Sequence, residues 1–151
     1  MIKLITTGKI KEKYLKDAIL EYSKRLSKYT KLEIIELNDY DFDNKNIVLE
    51  KEKEQILKYL NEKDYVITLE LEGKQFSSTE FAQKIDNIFL TNSNITFIIG
   101  GSYGLHDDIK KKSNLALSFS KFTFPHQLFR VILLEQIYRA FKIINNESYH
   151  K

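Results

Sequence analysis

The sequence predicts a single α/β domain in which a mostly parallel sheet is covered by helices. Three observations predict it. Short β-like runs alternate with longer segments of helical period, the pattern of strand–helix–strand units. The run Ile95–Ile99, "ITFII", is continuously β-branched or aromatic, which suits a central strand buried on both faces. The chain of 151 residues is long enough for one core burying roughly 68–70% of the extended surface, and too short for two ordinary domains. Residues 1–151 therefore read as one unit, with no repeat, low-complexity tract or Pro/Gly-rich linker to divide them.

In order, Ile2–Thr7 is a first β run, and Lys11–Tyr29 places Tyr14, Leu15, Ala18, Ile19, Tyr22, Leu26 and Tyr29 on one helical stripe. Leu32–Leu37 alternates as a strand does. Asn44–Leu60 reads as a charged helix with Ile56, Leu57 and Leu60 packing at its end. Tyr65–Leu71, "YVITLEL", is a third strand. Ser77 and Ser78 followed by Glu80 start a helix that runs to about Leu90. After Ile95–Ile99 come a glycine turn, a short polar helix at Asp107–Lys112, a strand at Leu115–Ser120, and a last helix from about Pro125 to Ile144. Ligands of such sheets bind beyond the carboxyl ends of the strands.

Hydrophobic residues at 42% and charged residues at 30% place the chain among soluble globular proteins. No apolar run reaches the roughly 18 residues of a membrane span, so no membrane partner is expected. The amino terminus turns polar after six residues, unlike a secretory signal, and the expected compartment is cytoplasmic. Zero cysteines exclude disulfides and thiol chemistry. The three histidines lack metal-ligand spacing, so no metal is expected. A net charge of +3 permits a polyanionic partner without demanding one.

The last helix carries apolar residues around most of its circumference, with Arg130, Glu135, Gln136, Arg139 and Lys142 leaving only a narrow wet stripe. A surface helix of a small monomer shows a broader polar face. Burial from two sides is expected, supplied by a homodimer or by helices of the same subunit.

Three of the five glycines fall in "IIGGSYGLHD", Ile98–Asp107. The dinucleotide fingerprint fails on spacing, and Gly73-Lys74 is followed by Gln75 where a phosphate loop needs Ser or Thr. Gly100-x-Ser102-x-Gly104 matches the letters of a hydrolase nucleophile elbow, with His126 downstream. The same glycines also suit a purely structural turn, or a bend where a flat ligand lies against bare backbone. For that ligand the second wall is Phe119–Phe124, "FSKFTF", a ring-rich loop leading into Pro125. Such a loop can stack on a base and offer peptide groups to its edge, and an adenine-bearing cofactor fits.

With these residues in view, the whole chain resembles the RlmH family of SPOUT-class ribosomal RNA methyltransferases. The resemblance is carried by "VITLELEGKQFSS" (Val66–Ser78), "FIIGGSYGL" (Phe97–Leu105), "LALSFSKFTFPHQLFRVILLEQIYRAFKI" (Leu115–Ile143) and the terminal "YHK" (Tyr149–Lys151). A short Asn/Asp-rich connection at Asp39–Lys45 departs from the family's pattern. The resemblance implies a C-terminal trefoil knot, a homodimer, and methylation by S-adenosylmethionine of the N(3) position of a pseudouridine in large-subunit ribosomal RNA. It also implies cofactor contacts at Leu69, Gly100, Phe119, Ser120, Lys121, Phe122, Thr123 and Phe124.

An activated methyl donor leaves the protein to orient the reactants and to handle the proton of the acceptor nitrogen. Arg130 and the tail Tyr149, His150 and Lys151 are the expected substrate-side residues, with His126 a further candidate. Lys9, Lys11, Lys13 and Lys110–Lys112 are candidate phosphate contacts. The absence of a separate RNA-binding module in the sequence points to the assembled ribosome as the expected substrate. A serine hydrolase and a non-catalytic RNA-binding module remain the alternatives on sequence.

Overall fold

The protein is described by a computed structural model covering residues 1–149; His150 and Lys151, two of the expected substrate-side residues, lie outside the described residues. Ten elements alternate: β1 (Ile2–Thr7), α1 (Lys13–Leu26), β2 (Leu32–Leu37), α2 (Lys45–Leu57), β3 (Tyr65–Gln75), α3 (Ser78–Phe89), β4 (Ile95–Ile99), α4 (Asp107–Lys112), β5 (Leu115–Ser118) and α5 (His126–Ile144). The five strands form one sheet in the order β2-β1-β4-β3-β5, and every pairing is parallel. All strands therefore end on the same edge.

Side-chain alternation splits the core into two layers. Ile95, Phe97 and Ile99 of β4, with Ile2 and Leu4 of β1, face α1, α3 and α5, where Phe81, Ile85, Leu133 and Ile137 meet them. Ile98 of β4 and Ile5 of β1 face the other way, against Ile56 of α2 and Ile109 of α4. Because helices cover both faces, β1 and β4 are buried at every position. This is why Ile95–Ile99 reads as an unbroken apolar run instead of an alternating one.

Local signals set the helix starts. Ser77 accepts from the Glu80 N–H at 3.1 Å while Glu80 accepts from the Ser77 N–H at 2.8 Å, a reciprocal capping box. Asn44 caps α2 by accepting from the N–H groups of Asn46 and Ile47. The buried stripe of α2 is Val48, Glu52 and Ile56, whereas Leu57, expected to pack, is 37% exposed. Tyr14, expected on the packed stripe of α1, is also exposed. The reason is shared: each helix meets the sheet along one narrow line, and residues a quarter-turn away face solvent.

Helix α5 lies between α1 and α3 on one face of the sheet. Its buried stripe is Arg130, Leu133, Leu134, Ile137, Ala140 and Phe141. Arg130, read from sequence as part of the wet stripe, is on the buried side. The two-sided burial of α5 is thus supplied within the chain, and its remaining outward stripe carries Leu128, Val131, Ile132, Glu135 and Arg139.

The third strand is longer than its sequence signal. It pairs with β5 up to Leu69↔Leu117, bulges, and resumes at Lys74↔Leu117. Gly73 sits in that bulge so close to β5 that a Cβ would lie 2.7 Å from the Ala116 carbonyl. Only glycine allows that approach.

Candidate active site

Two cavities open side by side at the carboxyl edge of the sheet. The first lies over the ends of β3, β4 and β5 and is walled by Leu69, Ile99, Gly100, Leu117 and the loop after β5. It is open to solvent on one side, and its walls are mainly apolar side chains and bare glycine backbone. Phe129, on the first turn of α5, anchors the loop: Phe119 meets it edge-on at 5.0 Å and Phe124 stacks at 5.4 Å. Ser120 shapes the bend, accepting at Oγ from the Phe122 N–H at 2.9 Å and at its carbonyl from Ser118 Oγ at 3.2 Å. Phe122 is 79% exposed at the rim.

Of the sequence-nominated cofactor residues, Leu69, Gly100, Phe119, Ser120, Phe122, Thr123 and Phe124 converge on this cavity. Lys121 is exposed and lines none of the cavities described. Residues not singled out from sequence also line it, among them Ile99, Leu117 and Phe129. Phe129 carries a usable signal, since it falls one helical turn after Pro125, on the face that closes over the loop.

The glycine turn forms the partition. Gly104 N–H donates to the Gly101 carbonyl at 3.0 Å, and Gly104 has φ +78°. A Cβ on Gly100 would strike the Gly104 carbonyl, with the carbonyl carbon 2.7 Å away. Closure of the turn on itself therefore requires glycine at Gly100, in addition to any ligand. Ser102 rides at the exposed tip of this turn, and α4 begins only at Asp107. A nucleophile elbow needs its serine at the strand-to-helix junction and in reach of a base. Among the described residues no hydrogen bond joins Ser102 to His126, although both border the second cavity.

That second cavity is polar and lies beyond β1 and β2, walled by Thr7, Gly8, Lys9, Lys11, Asp39, Gln127 and Arg130. Gly101 and His126 belong to both cavities. Arg130 is 2% exposed. Its Nη1 donates to Glu36 at 3.0 Å and its Nη2 to the Thr7 carbonyl at 2.8 Å, clamping α5 to the ends of β1 and β2. Burial pulls its pKa below the ordinary value, opposed by Glu36 and Asp39. Lys11 N–H donates to the Gln127 side chain at 3.1 Å, tying the basic loop to α5. Lys13 pairs instead with Asp17 at 2.6 Å, and Lys110 reaches Glu70 at 4.0 Å.

Behind the partition is Glu52 of α2, 4% exposed. Burial pushes its carboxyl up to about 7, the charge of Asp39 adds to the rise, and the nearby Gly101 backbone opposes it.

Tyr149 does not join either cavity of its own chain. Asn146, with φ +54°, reverses the backbone at the end of α5. Glu147 then bonds Lys142 at 3.0 Å and Tyr29 at 2.8 Å, and those partners hold its carboxyl down at about 2. Tyr149 lies back along α5, donating to Glu135 and meeting the Tyr138 ring edge-on at 5.2 Å. Its pKa is raised, first by the Glu135 hydrogen bond and then by burial. Glu135 is about 14 Å along the axis from His126.

The family model described as "Predicted SPOUT methyltransferase" matches residues 1–150. The chain belongs to this SPOUT methyltransferase family. A Methanococcus maripaludis relative is 57% identical, with 99% of each chain covered. The Clostridium acetobutylicum relative, named ribosomal RNA large subunit methyltransferase H, is 54% identical with the same coverage. A solved structure from Haemophilus influenzae Rd KW20, described as a probable methylase family protein, superposes with a TM-score of 0.57. It is 15% identical and covers 99% of this chain and 70% of that one, a likeness of fold alone. Within a SPOUT methyltransferase, the apolar cavity at the strand ends is the candidate donor site and the polar cavity beside it the candidate acceptor site.

Proposed function

We propose that this protein transfers a methyl group from S-adenosylmethionine to the N(3) position of a pseudouridine in large-subunit ribosomal RNA, acting on the assembled ribosome as a homodimer. The observation that carries the reading is the pair of cavities sharing Gly101 and His126 in a SPOUT methyltransferase chain. The names of its relatives support ribosomal RNA as the substrate class, and the choice of base rests on the resemblance in sequence.

The apolar cavity fits an adenosyl group on its own chemistry. Leu69, Phe119 and Phe124 offer flat apolar contacts, and the irregular backbone of the loop after Ser118 has peptide groups to meet a base edge. When bound, the cofactor supplies a methyl group on a positively charged sulfur. The chain's own task is to align that group with the acceptor and exclude water, an effect worth up to roughly 7–11 kcal/mol. The acceptor nitrogen gives up its proton to solvent water, and Lys9, Lys11 and Arg130 bring positive charge to the polar cavity that steadies the negative charge left on the base until the methyl group bonds to that nitrogen. The same lysines suit flanking phosphates. In the homodimer reading, the outward stripe of α5 with Leu128, Val131 and Ile132 meets the partner, and Tyr149 and the tail serve a partner's cavity. The C-terminal trefoil knot is part of the same reading and rests on the resemblance in sequence.

The test is incubation with radiolabelled S-adenosylmethionine and ribosomes lacking modifications, followed by mapping of the label. Label on N(3) of one pseudouridine in large-subunit RNA is the expected result. Label in protein or small-subunit RNA overturns the reading, equal labelling of naked RNA overturns the ribosome assignment, and a monomer mass by sedimentation overturns the dimer.

A further inference from the structure

We propose that Tyr40 and Phe42 form a stacking platform for an unpaired RNA base that flanks the nucleotide entering the polar cavity. The proposal rests on the methyltransferase reading above and names the surface that grips its RNA. The segment 38–44 joins β2 to α2 at the carboxyl edge of the sheet. Both of its ends are fixed, because the Gly8 N–H donates to the Leu37 carbonyl at 2.9 Å and Asn44 caps α2. Between those ends, Tyr40 and Phe42 stand two positions apart, the spacing that brings side chains to one side of an extended chain. Their rings lie nearly parallel, with 13° between the planes and 6.4 Å between centroids. Neither ring belongs to either layer of the core, and Phe42 is 44% exposed.

A single exposed aromatic side chain is ordinary on a protein surface, whereas two parallel rings left outside the core make a flat apolar face with no packing role. Where they stand selects the occupant. Tyr40 lines the polar cavity together with Lys9, Lys11 and Arg130. The loop that carries Lys9 and Lys11 is moored to the strand that launches the ring segment, since the Ile10 N–H donates to Glu36 at 2.8 Å. Unpaired RNA is held by this combination, with aromatic faces stacked on bases and cations following the phosphates. Here the two tasks fall to adjacent loops, the cations on the one after β1 and the rings on the one after β2. Asp39, Asp41 and Asp43 alternate with the rings in sequence. Their charge repels phosphates, so the sugar–phosphate chain is directed to the lysine loop and the rings receive a base.

Three measurements test this on the full chain. In steady-state transfer to ribosomes, Tyr40→Ala combined with Phe42→Ala is expected to raise the KM for ribosomes about ten- to a hundredfold. Tyr40→Leu with Phe42→Leu keeps apolar bulk, removes the flat rings and is expected to lose as much, while Tyr40→Phe keeps the wild-type KM. A wild-type KM in the leucine pair overturns the proposal, and that pair carries the test should the alanine pair fail to fold. In a salt titration of ribosome binding, the leucine pair is expected to keep the wild-type slope, because stacking releases no counterions; a slope reduced as by loss of a lysine overturns the proposal. Ultraviolet irradiation of the ribosome complex, followed by mass spectrometry, is expected to find a nucleotide adduct on Tyr40 or Phe42. Absence of such an adduct, or a crosslink from these rings to a ribosomal protein, overturns it. A wild type that transfers no methyl group removes the methyltransferase reading, while the adduct still decides whether the rings hold RNA.

Discussion

The apolar and polar cavities touch at Gly101 and His126, yet they are assembled in opposite ways. The apolar cavity draws the largest single part of its wall from one contiguous loop, Phe119–Phe124, pinned to Phe129 and set on the ends of three strands. The polar cavity collects single residues from distant stretches: Lys9 and Lys11 after β1, Asp39 after β2, Ser102 at the turn and Arg130 on α5. One is preformed by packing of rings. The other is held by charge pairs such as Arg130 with Glu36 at 3.0 Å. The contrast teaches that the apolar wall is largely a property of a local segment, whereas the polar one depends on several elements keeping their places.

The sharpest way to break the contrast is at the partition. Gly100→Val drives side-chain atoms into the Gly104 carbonyl, an overpacking cost of about 1–3 kcal/mol, and S-adenosylhomocysteine affinity by calorimetry is expected to fall about ten- to a hundredfold. Unchanged affinity removes the turn from the donor cavity. Next in size, Lys9→Ala with Lys11→Ala is expected to leave cofactor affinity unaltered while weakening ribosome binding, with the slope of log affinity against log salt reduced by about one per lysine. A fall in cofactor affinity of the same size merges the two cavities into one.

A smaller effect concerns stability. The folded-state carboxyl of Glu52 titrates at about 7, above its ordinary value of 4.5. The native state therefore keeps a proton that the unfolded chain has released, and this contribution is full below about pH 4.5 and lost as pH rises through about 7. The melting temperature of the wild type relative to Glu52→Gln is expected to decline over that window, and a difference that rises or stays level contradicts the assignment. Smallest is Ser102→Ala: the side chain sits at an exposed turn tip, and transfer rates are expected to stay within about twofold. Loss of activity there restores the nucleophile reading.

Much of the sheet was legible because burial on both faces writes itself into composition. Ile95–Ile99 has no polar-facing position, so its strand and its central place follow from the letters alone. The start of α3 was equally legible, since the Ser77–Glu80 cap is a local interaction. The convergence of the glycine turn with Phe119–Phe124 followed from their places at the carboxyl ends of β4 and β5, parallel strands with only β3 between them. Glu52 was not legible. It sits in "LEKEKEQ", Leu49–Gln55, where alternating charges hide which one turns inward, and only the line of contact between α2 and the sheet selects it. Arg130 was misplaced for the same reason in reverse, because a charge on an apolar helix reads as wet until its partners Glu36 and Thr7 are seen. The two-sided burial of α5 was visible in its sequence; which surfaces supply it was not, because α1 and α3 meet it only through long-range packing. The fold-back of Tyr149 depends on one left-handed residue, Asn146, and on the clasp of Glu147 by Lys142 and Tyr29, neither of which has a sequence period.

The bulge at Gly73 has a consequence for anyone altering this molecule. Where Gly73 abuts Ala116, neighbouring main chains leave room for a hydrogen and nothing larger. The apolar cavity is framed by the two strands that meet there, so a saturation library at this codon should return glycine alone, however tolerant the surrounding bulge proves to inserted or exchanged residues.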